Sequence, residues 1–570
     1  MDTISGSLSA AARERALAAM SAAPRLDILV VGGGVVGAGC ALDAVSRGLT
    51  VGIVEARDWA SGTSSRSSKL IHGGLRYLEM LDFGLVREAL RERGLLLHRL
   101  APHLVQPVSF LYPLRHRVWE RCYVGAGVGL YDLMSRGGAG PALPHHQQLG
   151  RRAALRACPA LRPGALTGAV RYHDAQVDDA RLVTYLVRTA AAFGAHAASR
   201  LAVTGFLRAG ERVTGVVAVD RERRQPYQIH ARQVINATGV WMDDTHGLAG
   251  VRPPVRVRPA KGVHVVVARE RIPSDTGLIL RTATSVLFVI PWGEHWIVGT
   301  TDTPWPLDKD RPAASRRDLD YLLGEANRVL ADPLRPGDIQ AVYAGLRPLL
   351  SGPSHLTSRL SRRHAVFSPA PGLVTVAGGK YTTYRVMARD AVDVAAGALG
   401  RNTPPSCTDD LPILGAEGFA ALWNQRHALA RRAGLPPQRM EHLLHRYGTL
   451  ALDVLDLVAA EPALGEPLDG YLAAEVAYAV EHEGALHLDD VLLRRTHIGI
   501  ETPDRGVRAA GTVAALMGTR LRWTREQAAR EVRRYESLVA AGHAAEQEPD
   551  DERALAAYLA AGTGAALASG

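Results

Sequence analysis

Short apolar runs that end in glycine and lead into residues at helical spacing recur along the chain and predict an α/β architecture. Leu26–Val31 (LDILVV) is short and largely apolar, as a parallel strand buried on both faces requires. Behind it, Ala38, Ala41, Leu42 and Val45 fall at helical spacing before a stop at Gly48, and a second apolar strand, Val51–Val54, follows. Val234–Gly239 (VINATG) reads as another core strand ending in small residues. Gly372–Tyr384 (GLVTVAGGKYTTY) repeats the order strand, glycine turn, helix. A helix opened by Asp178-Asp179 and closed near Gly194 precedes alternating strands at 200–208 and 212–220. His264–Val267, Val286–Ile290 and Trp296–Gly299 predict an antiparallel sheet. Pro404 and Pro405 mark a linker, beyond which helical periodicity dominates; Leu472, Val476, Ala477 and Val480 form one such stripe.

The first strand runs straight into Gly32-Gly33-Gly34-Val35-Val36-Gly37, a GxGxxG. Gly32 permits the tight turn, Gly34 lets the backbone approach a pyrophosphate, and Gly37 lets helix and strand pack closely. The helix N-terminus then offers N–H groups and partial positive charge to phosphates. Glu55, 18 residues after Gly37, sits where a carboxylate accepts hydrogen bonds from ribose hydroxyls. An acid there argues against a ribose 2′-phosphate, and so against NADP. The motif alone is weak; with its strand, helix and acid in place it predicts a dinucleotide site.

At 570 residues the chain has room for about three domains. Its 47% apolar and 22% charged residues are ordinary for a globular protein and exclude a collagen-like, disordered or disulfide-scaffold chain. The net charge of +10 is mild: it favours anionic ligands or an acidic membrane face and falls short of a nucleic-acid-binding signature. Cys40, Cys122, Cys158 and Cys407 are far apart and form no CxxC, so neither a zinc site nor a disulfide framework is expected, and no metal is. The pattern reads as intracellular and reduced. The uncharged run between Asp27 and Asp43 is too short to span a membrane. Residues 1–24 are rich in Ala and Ser, with Arg13 and Arg15 interrupting any signal-peptide core, and read as a loose extension. The Ala- and Gly-rich residues 541–570 read as a partly disordered tail.

Gly62–Tyr77 (GTSSRSSKLIHGGLRY) packs Ser64, Ser65, Ser67, Ser68, Lys69, His72, Gly73 and Gly74 into a stretch without regular periodicity. A polar surface loop would expose Leu70, Ile71 and Leu75; a loop folded over a bound cofactor explains them better. Gly378-Gly379 would aim a helix N-terminus at a site that stabilises negative charge, which suits a reduced flavin. Several longer blocks then carry a resemblance. They are VVGGGVVGAGCALDAVSRGL (30–49), TSSRSSKLIHGGLRYLE (63–79), VDDARLV (177–183), NATGVW (236–241) and KGVH (261–264). FVIPW (288–292), GTTD (299–302), GLRPL (345–349), SRRH (361–364) and GGKYTTYR (378–385) continue the series. From about Arg25 to about Ser537 the sequence resembles the FAD-dependent glycerol-3-phosphate dehydrogenases, within the glutathione-reductase/D-amino-acid-oxidase flavoprotein group.

The resemblance implies a Rossmann-type FAD-binding domain, an antiparallel substrate domain and a helical C-terminal domain. The FAD-dependent oxidoreductase region is expected over 25–400. Its FAD-binding segments fall at about 25–80, 150–245 and 340–400, its substrate segments at about 81–149 and 246–339, and the helical domain at 405–540. The expected FAD contacts are Gly32, Gly34, Val36, Gly37, Glu55 and Ala56, then Thr63, Ser64, Ser65, Ser68, Lys69, Leu70, His72, Gly73 and Gly74. Ala237, Thr238, Gly239, Gly378, Gly379, Lys380 and Thr382 complete the set.

The implied reaction is oxidation of sn-glycerol 3-phosphate to dihydroxyacetone phosphate, with hydride passing from C2 to flavin N5. Arg suits the phosphate because its planar fork binds two oxygens at once. By resemblance, Arg76, Tyr77, Arg347, Arg362 and Lys380 align with substrate contacts, and Arg76, Arg347 and Lys380 with the catalytic set. Arg347, between Leu346 and Pro348-Leu349-Leu350, sits where a free charge is expensive. Arg359 and Arg363 could exchange roles with Arg362, and which of Arg347, Arg362 and Lys380 takes the phosphate is open. So is the base: His72 and His264 are candidates, with His72 expected on the flavin side.

The family implies a quinone acceptor and therefore a peripheral position on the cytoplasmic face of the plasma membrane. Leu111–Met134 is the candidate contact. It interleaves Arg115, His116, Arg117 and Arg121 with Val118, Trp119, Cys122, Tyr123 and Val124, so that basic groups meet anionic lipid while the aromatic rings sit among the headgroups. The alternative is a buried helix with a charged outer face. A glycerol-3-phosphate oxidase using oxygen and a catalytically silent FAD-binding protein are the rival functions. No nucleic-acid partner is expected, and the oligomeric state is open, a homodimer included.

Overall fold

The computed structural model describes residues 6–22, 25–74, 82–116, 119–135, 143–282, 286–351 and 364–567. In chain order, the elements that build the site begin with α1 (Ala10–Ala22), β1 (Leu26–Val31), α2 (Val35–Ser46), β2 (Val51–Val54), β3 (Val105–Leu114) and α3 (Trp119–Ser135). They continue with β4 (Gly168–Val177), α4 (Asp179–Ala192), β5 (Gln225–Asn236), β6 (Arg256–Ala268), β7 (Ile339–Ser351) and β8 (Leu373–Gly378). The last are α5 (Tyr384–Gly397), α6 (Arg525–Gln547) and α7 (Asp551–Leu567).

β8, β5, β1 and β2 lie side by side and parallel, with Val30 level with Ile235 on one side and Ile53 on the other. Ile28, Leu29 and Val30 are completely buried, which explains an apolar run without alternation. One face is covered by α2, α4 and α5 through Ala41, Leu42, Leu186, Ala388 and Val392. On the other face Leu17 and Met20 of α1 pack with Leu29, Val54, Val213 and Val216. The expectation of a loose extension is therefore corrected: Ala16, Leu17 and Met20 form a buried helical stripe, and Arg13 is locked to Asp220 at 2.6 Å. The composition of 1–24 hid that stripe among alanines.

β1, β5 and β8 all end on the same edge in small residues, Gly32–Gly34, Ala237–Gly239 and Gly378-Gly379. In an open α/β sheet the crevice beyond the strands' carboxyl ends is where ligands bind.

The second sheet has ten strands and faces that edge. β6 pairs antiparallel with β7, placing Ala260 opposite Arg347 and His264 opposite Tyr343. β3 pairs antiparallel with β4 along its whole length. Two expected segment boundaries therefore move: β4 and β7, assigned from the sequence to the FAD-binding segments, belong to the antiparallel sheet.

After 405 the helices divide: those at 419–460 join the core of the parallel-sheet domain through Phe419, Met440, Leu443 and Val454, and the later ones form their own core around Val476, Val480, Leu492, Val513 and Met517. Buried ion pairs fasten this region to the first domain: Arg495 to Asp58 at 2.7 Å and Arg181 to Glu483 at 2.7 Å. The expected disordered tail is also corrected. α6 runs on to Gln547, and α7 buries Ala554 and Leu555 against Val240, Trp305 and Leu346.

α3 forms despite Gly125, Gly127 and Gly129 because Val128 and Tyr131 on its inner face are fully buried. Its more exposed face, which includes the cleft-lining Tyr123, is apolar, which excludes the charged-face alternative: Trp119, Tyr123 and Leu133 are 58%, 52% and 60% exposed. Arg117 and Val118 lie outside the described residues. Among those described, no helix is long and apolar enough to cross a membrane.

Candidate active site

A cleft of about 1220 Å³ runs along the carboxyl edge of the parallel sheet and under the antiparallel one. This exceeds the usual volume of a site for one drug-sized ligand. One end is the glycine turn. Gly32 has φ +114, and a Cβ there would sit 2.6 Å from the Ala237 carbonyl oxygen; one on Gly37 would sit 1.9 Å from the Gly32 carbonyl oxygen. Only glycine satisfies both contacts, so this turn is built for close backbone approach. Glu55 accepts hydrogen bonds from Gly33 N at 2.6 Å and Arg57 N at 2.8 Å, bracing the turn. Each carboxylate oxygen retains a lone pair for a ribose hydroxyl. Ser64 Oγ accepts from Val35 N at 3.0 Å, in the first turn of α2.

Of the expected cofactor contacts, Gly32, Gly34, Val36, Glu55, Ala56, Thr63, Ser64, Ser68, His72, Gly74, Ala237, Thr238, Gly239, Gly378, Gly379 and Lys380 line this cleft. Gly37, Ser65, Lys69, Leu70, Gly73 and Thr382 do not. Gly37 lies beneath the turn, and Ser65 closes a single 3-10 turn. Lys69 is withdrawn into a buried ion pair with Asp179 at 2.5 Å, because an unpaired ammonium at 1% exposure would be costly. Leu70 is packed with Val108 and Phe110. Gly73 N donates to the Tyr131 hydroxyl at 2.8 Å, and Thr382 Oγ1 accepts from His72 N at 3.1 Å.

Asp179 is the anchor that sequence reasoning missed. Besides Lys69, its carboxylate accepts from Ser67 N at 3.0 Å and Ser67 Oγ at 2.7 Å, so the first residue of α4 fixes the serine loop. Its position beside the helix-capping Asp178 was readable; its reach back to residue 67 was not.

Arg347 and Lys380 line the same cleft, together with His72, Ser68 and Thr300. The Arg347 guanidinium donates to Thr300 Oγ1 at 3.0 Å, the Thr301 carbonyl at 3.1 Å and Asp302 Oδ1 at 3.0 Å. Its setting is thus more polar than its neighbours in sequence suggested: Leu346 and Leu350 are buried elsewhere, and the GTTD turn supplies the oxygens. Arg76, Tyr77 and Arg362, with Arg359 and Arg363, lie outside the described residues.

Of the two candidate histidines, His72 lines the cleft and His264 does not. Burial, with Lys380 and Arg93 nearby, pushes the His72 imidazole below its ordinary pKa against the pull of Asp174. Burial, then Arg347 and Lys69, hold His264 well below the ordinary range. His264 Nε2 lies 2.8 Å from Ser68 Oγ while its ring stacks on Tyr343 with centroids 4.8 Å apart. It therefore reaches the cleft through Ser68. A further wall is apolar and aromatic: Tyr112, Tyr172, Ile279 and Phe288 meet Tyr123 and Leu130 of α3 there.

Comparison with known proteins gives the same assignment along nearly the whole chain. Residues 27–385 match the family model described as FAD dependent oxidoreductase, and 406–528 the C-terminal domain of alpha-glycerophosphate oxidase. Glycerol-3-phosphate dehydrogenase 2 of Mycobacterium tuberculosis is 53% identical over 530 residues, 92% of this chain and 90% of that one. The mitochondrial glycerol-3-phosphate dehydrogenase of Homo sapiens is 36% identical over 537 residues, 90% of this chain and 72% of that one. The glycerol-3-phosphate dehydrogenase of Bacillus halodurans, solved complexed with FAD, superposes with a TM-score of 0.78 at 29% identity, covering 93% of this chain and 98% of that one. The chain is an FAD-dependent oxidoreductase and belongs to the glycerol-3-phosphate dehydrogenase family.

Proposed function

We propose that this protein oxidises sn-glycerol 3-phosphate to dihydroxyacetone phosphate and passes the electrons to a quinone. The observation that carries the reading is one cleft lined both by a dinucleotide turn and by Arg347 and Lys380. The residues suit FAD: the Gly32–Gly37 cradle admits a pyrophosphate, Glu55 offers acceptors to a ribose, and the Gly378-Gly379 turn opens toward the ring end. FAD, when bound, supplies the two-electron acceptor for the hydride leaving C2.

The chain's own residues do the rest. Arg347 and Lys380 neutralise a dianionic phosphate and favour the negative charge that develops on the C2 oxygen as its proton leaves. The Thr300–Asp302 turn holds the Arg347 fork in place before substrate arrives, so little reorganisation is needed. His72 is neutral near pH 7 and faces the cleft, so it can accept that proton; His264 orients the Ser68 hydroxyl. The apolar wall beside the exposed face of α3 favours a lipophilic acceptor, and that face suits a membrane surface at which a quinone is met. This supports a quinone over oxygen.

The test is an anaerobic incubation of the holoprotein with sn-glycerol 3-phosphate and a short-chain quinone. Equimolar dihydroxyacetone phosphate and quinol are expected; absence of the ketone would overturn the substrate, and equal turnover in a parallel aerobic incubation without quinone would overturn the acceptor. His72→Asn should keep FAD and slow flavin reduction at least 100-fold; unchanged reduction would remove His72 from proton transfer.

A further inference from the structure

β6 carries a lysine, Lys261, with no exposed surface at all. Its ammonium donates to Asp318 Oδ2 at 2.5 Å, Asp551 Oδ1 at 2.5 Å and the Ala313 carbonyl at 3.2 Å, over the Trp305 ring. Asp318 is already engaged, since it also accepts from Ser315 N and Ser315 Oγ at 2.9 Å. A buried ammonium needs a full complement of partners. The second carboxylate comes from the first residue of α7, about 290 residues away and beyond the 406–528 stretch that matches the family's C-terminal domain.

What this clamp holds is the strand of Arg347. Lys261 is opposite Leu346 and Ala260 opposite Arg347 in the β6–β7 register. Ala554 and Leu555 of α7 pack on the Leu346 side chain and on Val240, so the helix bears on the residues next to Arg347 and next to Gly239. The Leu346 carbonyl accepts from Thr63 Oγ1 at 2.6 Å, tying the same point to the loop that lines the cleft. Arg316 N donates to the Glu548 carbonyl at 2.8 Å, and Ser315 Oγ to Asp551 at 3.1 Å, fixing the approach of the helix.

We infer that Asp551 is a positioning residue: the chain's last helix straps β7 through the Asp551–Lys261–Asp318 cluster and sets Arg347 against the substrate. The inference rests on the proposed oxidation in taking Arg347 as a substrate cation. Displacing such a group by about 1 Å costs about 100-fold in rate, so a small loosening is measurable.

The test compares the holoenzyme with Asp551→Asn, Lys261→Met, the double variant and a form ending at Glu548, with the exposed Arg553→Ala as control. Amide hydrogen exchange across 339–351 and the KM for sn-glycerol 3-phosphate are measured together with FAD content. Asp551→Asn should keep FAD, speed exchange around 343–349 about 10-fold and raise KM at least 5-fold. In the Lys261→Met background it should cause no further loss in either. Unchanged exchange, or faster exchange with unchanged KM, would reduce the strap to a purely structural helix. Should the truncated form fail to fold, Asp551→Asn still decides. If the wild-type flavin is not reduced by the substrate, the functional reading falls while the exchange arm still tests the strap.

Discussion

Asp179→Asn removes one charge at a point where four hydrogen bonds converge. In the wild type the carboxylate receives Lys69 Nζ, both Ser67 donors and Ala180 N, and both charged partners are at most 1% exposed. The variant removes the direct ion-pair partner of a buried ammonium, which costs about 3–5 kcal/mol. That is a large share of a typical domain stability of roughly 5–15 kcal/mol. It corresponds to a fall of about two to three and a half decades in the folded-to-unfolded ratio. The serine loop is fixed by the same carboxylate, so FAD release should accompany the loss. Urea unfolding of the holoprotein, followed by flavin fluorescence, reads both events. Lys69→Met should cost less, because Ser67 and Ala180 still solvate the carboxylate, and adding it to Asp179→Asn should restore part of the stability. A change below about 1 kcal/mol in Asp179→Asn, with FAD retained, would refute the reasoning, since it would mean that the pair is not desolvated.

Three other outcomes are expected. Gly37→Ala places a Cβ 1.9 Å from the Gly32 carbonyl, so the protein should purify without FAD; a normal flavin-to-protein absorbance ratio would show that the turn can yield. Burial, with Arg181 and His445 nearby, lowers the His103 pKa from 6.5 to about 3. Below pH 6.5 the unfolded chain binds a proton that the folded chain refuses, so this stability is complete above 6.5 and is lost toward pH 3, at about 1.4 kcal/mol per pH unit. His103→Phe should flatten that slope between pH 6 and 5, and an unaltered slope would acquit the residue. Trp119→Ala with Leu133→Ala removes two exposed apolar side chains from α3, together about 2–3 kcal/mol of transfer energy. Co-sedimentation with anionic vesicles should fall on the order of 10- to 100-fold, and undiminished binding would place any membrane contact elsewhere.

The fold was legible wherever the chain carries its own periodicity. The strands at 26–31 and 51–54, the helix after Asp178 and the turn at 378–379 are local patterns, each enforced by burial on a parallel sheet. Long-range partnership was not legible. Lys69 looks like a phosphate ligand in a serine loop, and only the fold brings Asp179 to its ammonium. Arg347 looked isolated among leucines because strand alternation sends Leu346 away while the Thr300–Asp302 turn arrives from another part of the sheet. Both termini were misread for one reason: alanine-rich segments pack with few large residues, so Leu17, Met20, Ala554 and Leu555 carry burial that composition cannot show.

One cleft joins the flavin site to the cations proposed to bind a polyol phosphate. The most direct test of that proposal is the oxidised flavin band of the purified holoprotein, recorded without oxygen or acceptor as sn-glycerol 3-phosphate is added. Rapid stoichiometric bleaching is expected, which plain glycerol does not cause and which Arg347→Gln slows at least 100-fold. A flavin band that sn-glycerol 3-phosphate leaves unchanged would contradict the proposal.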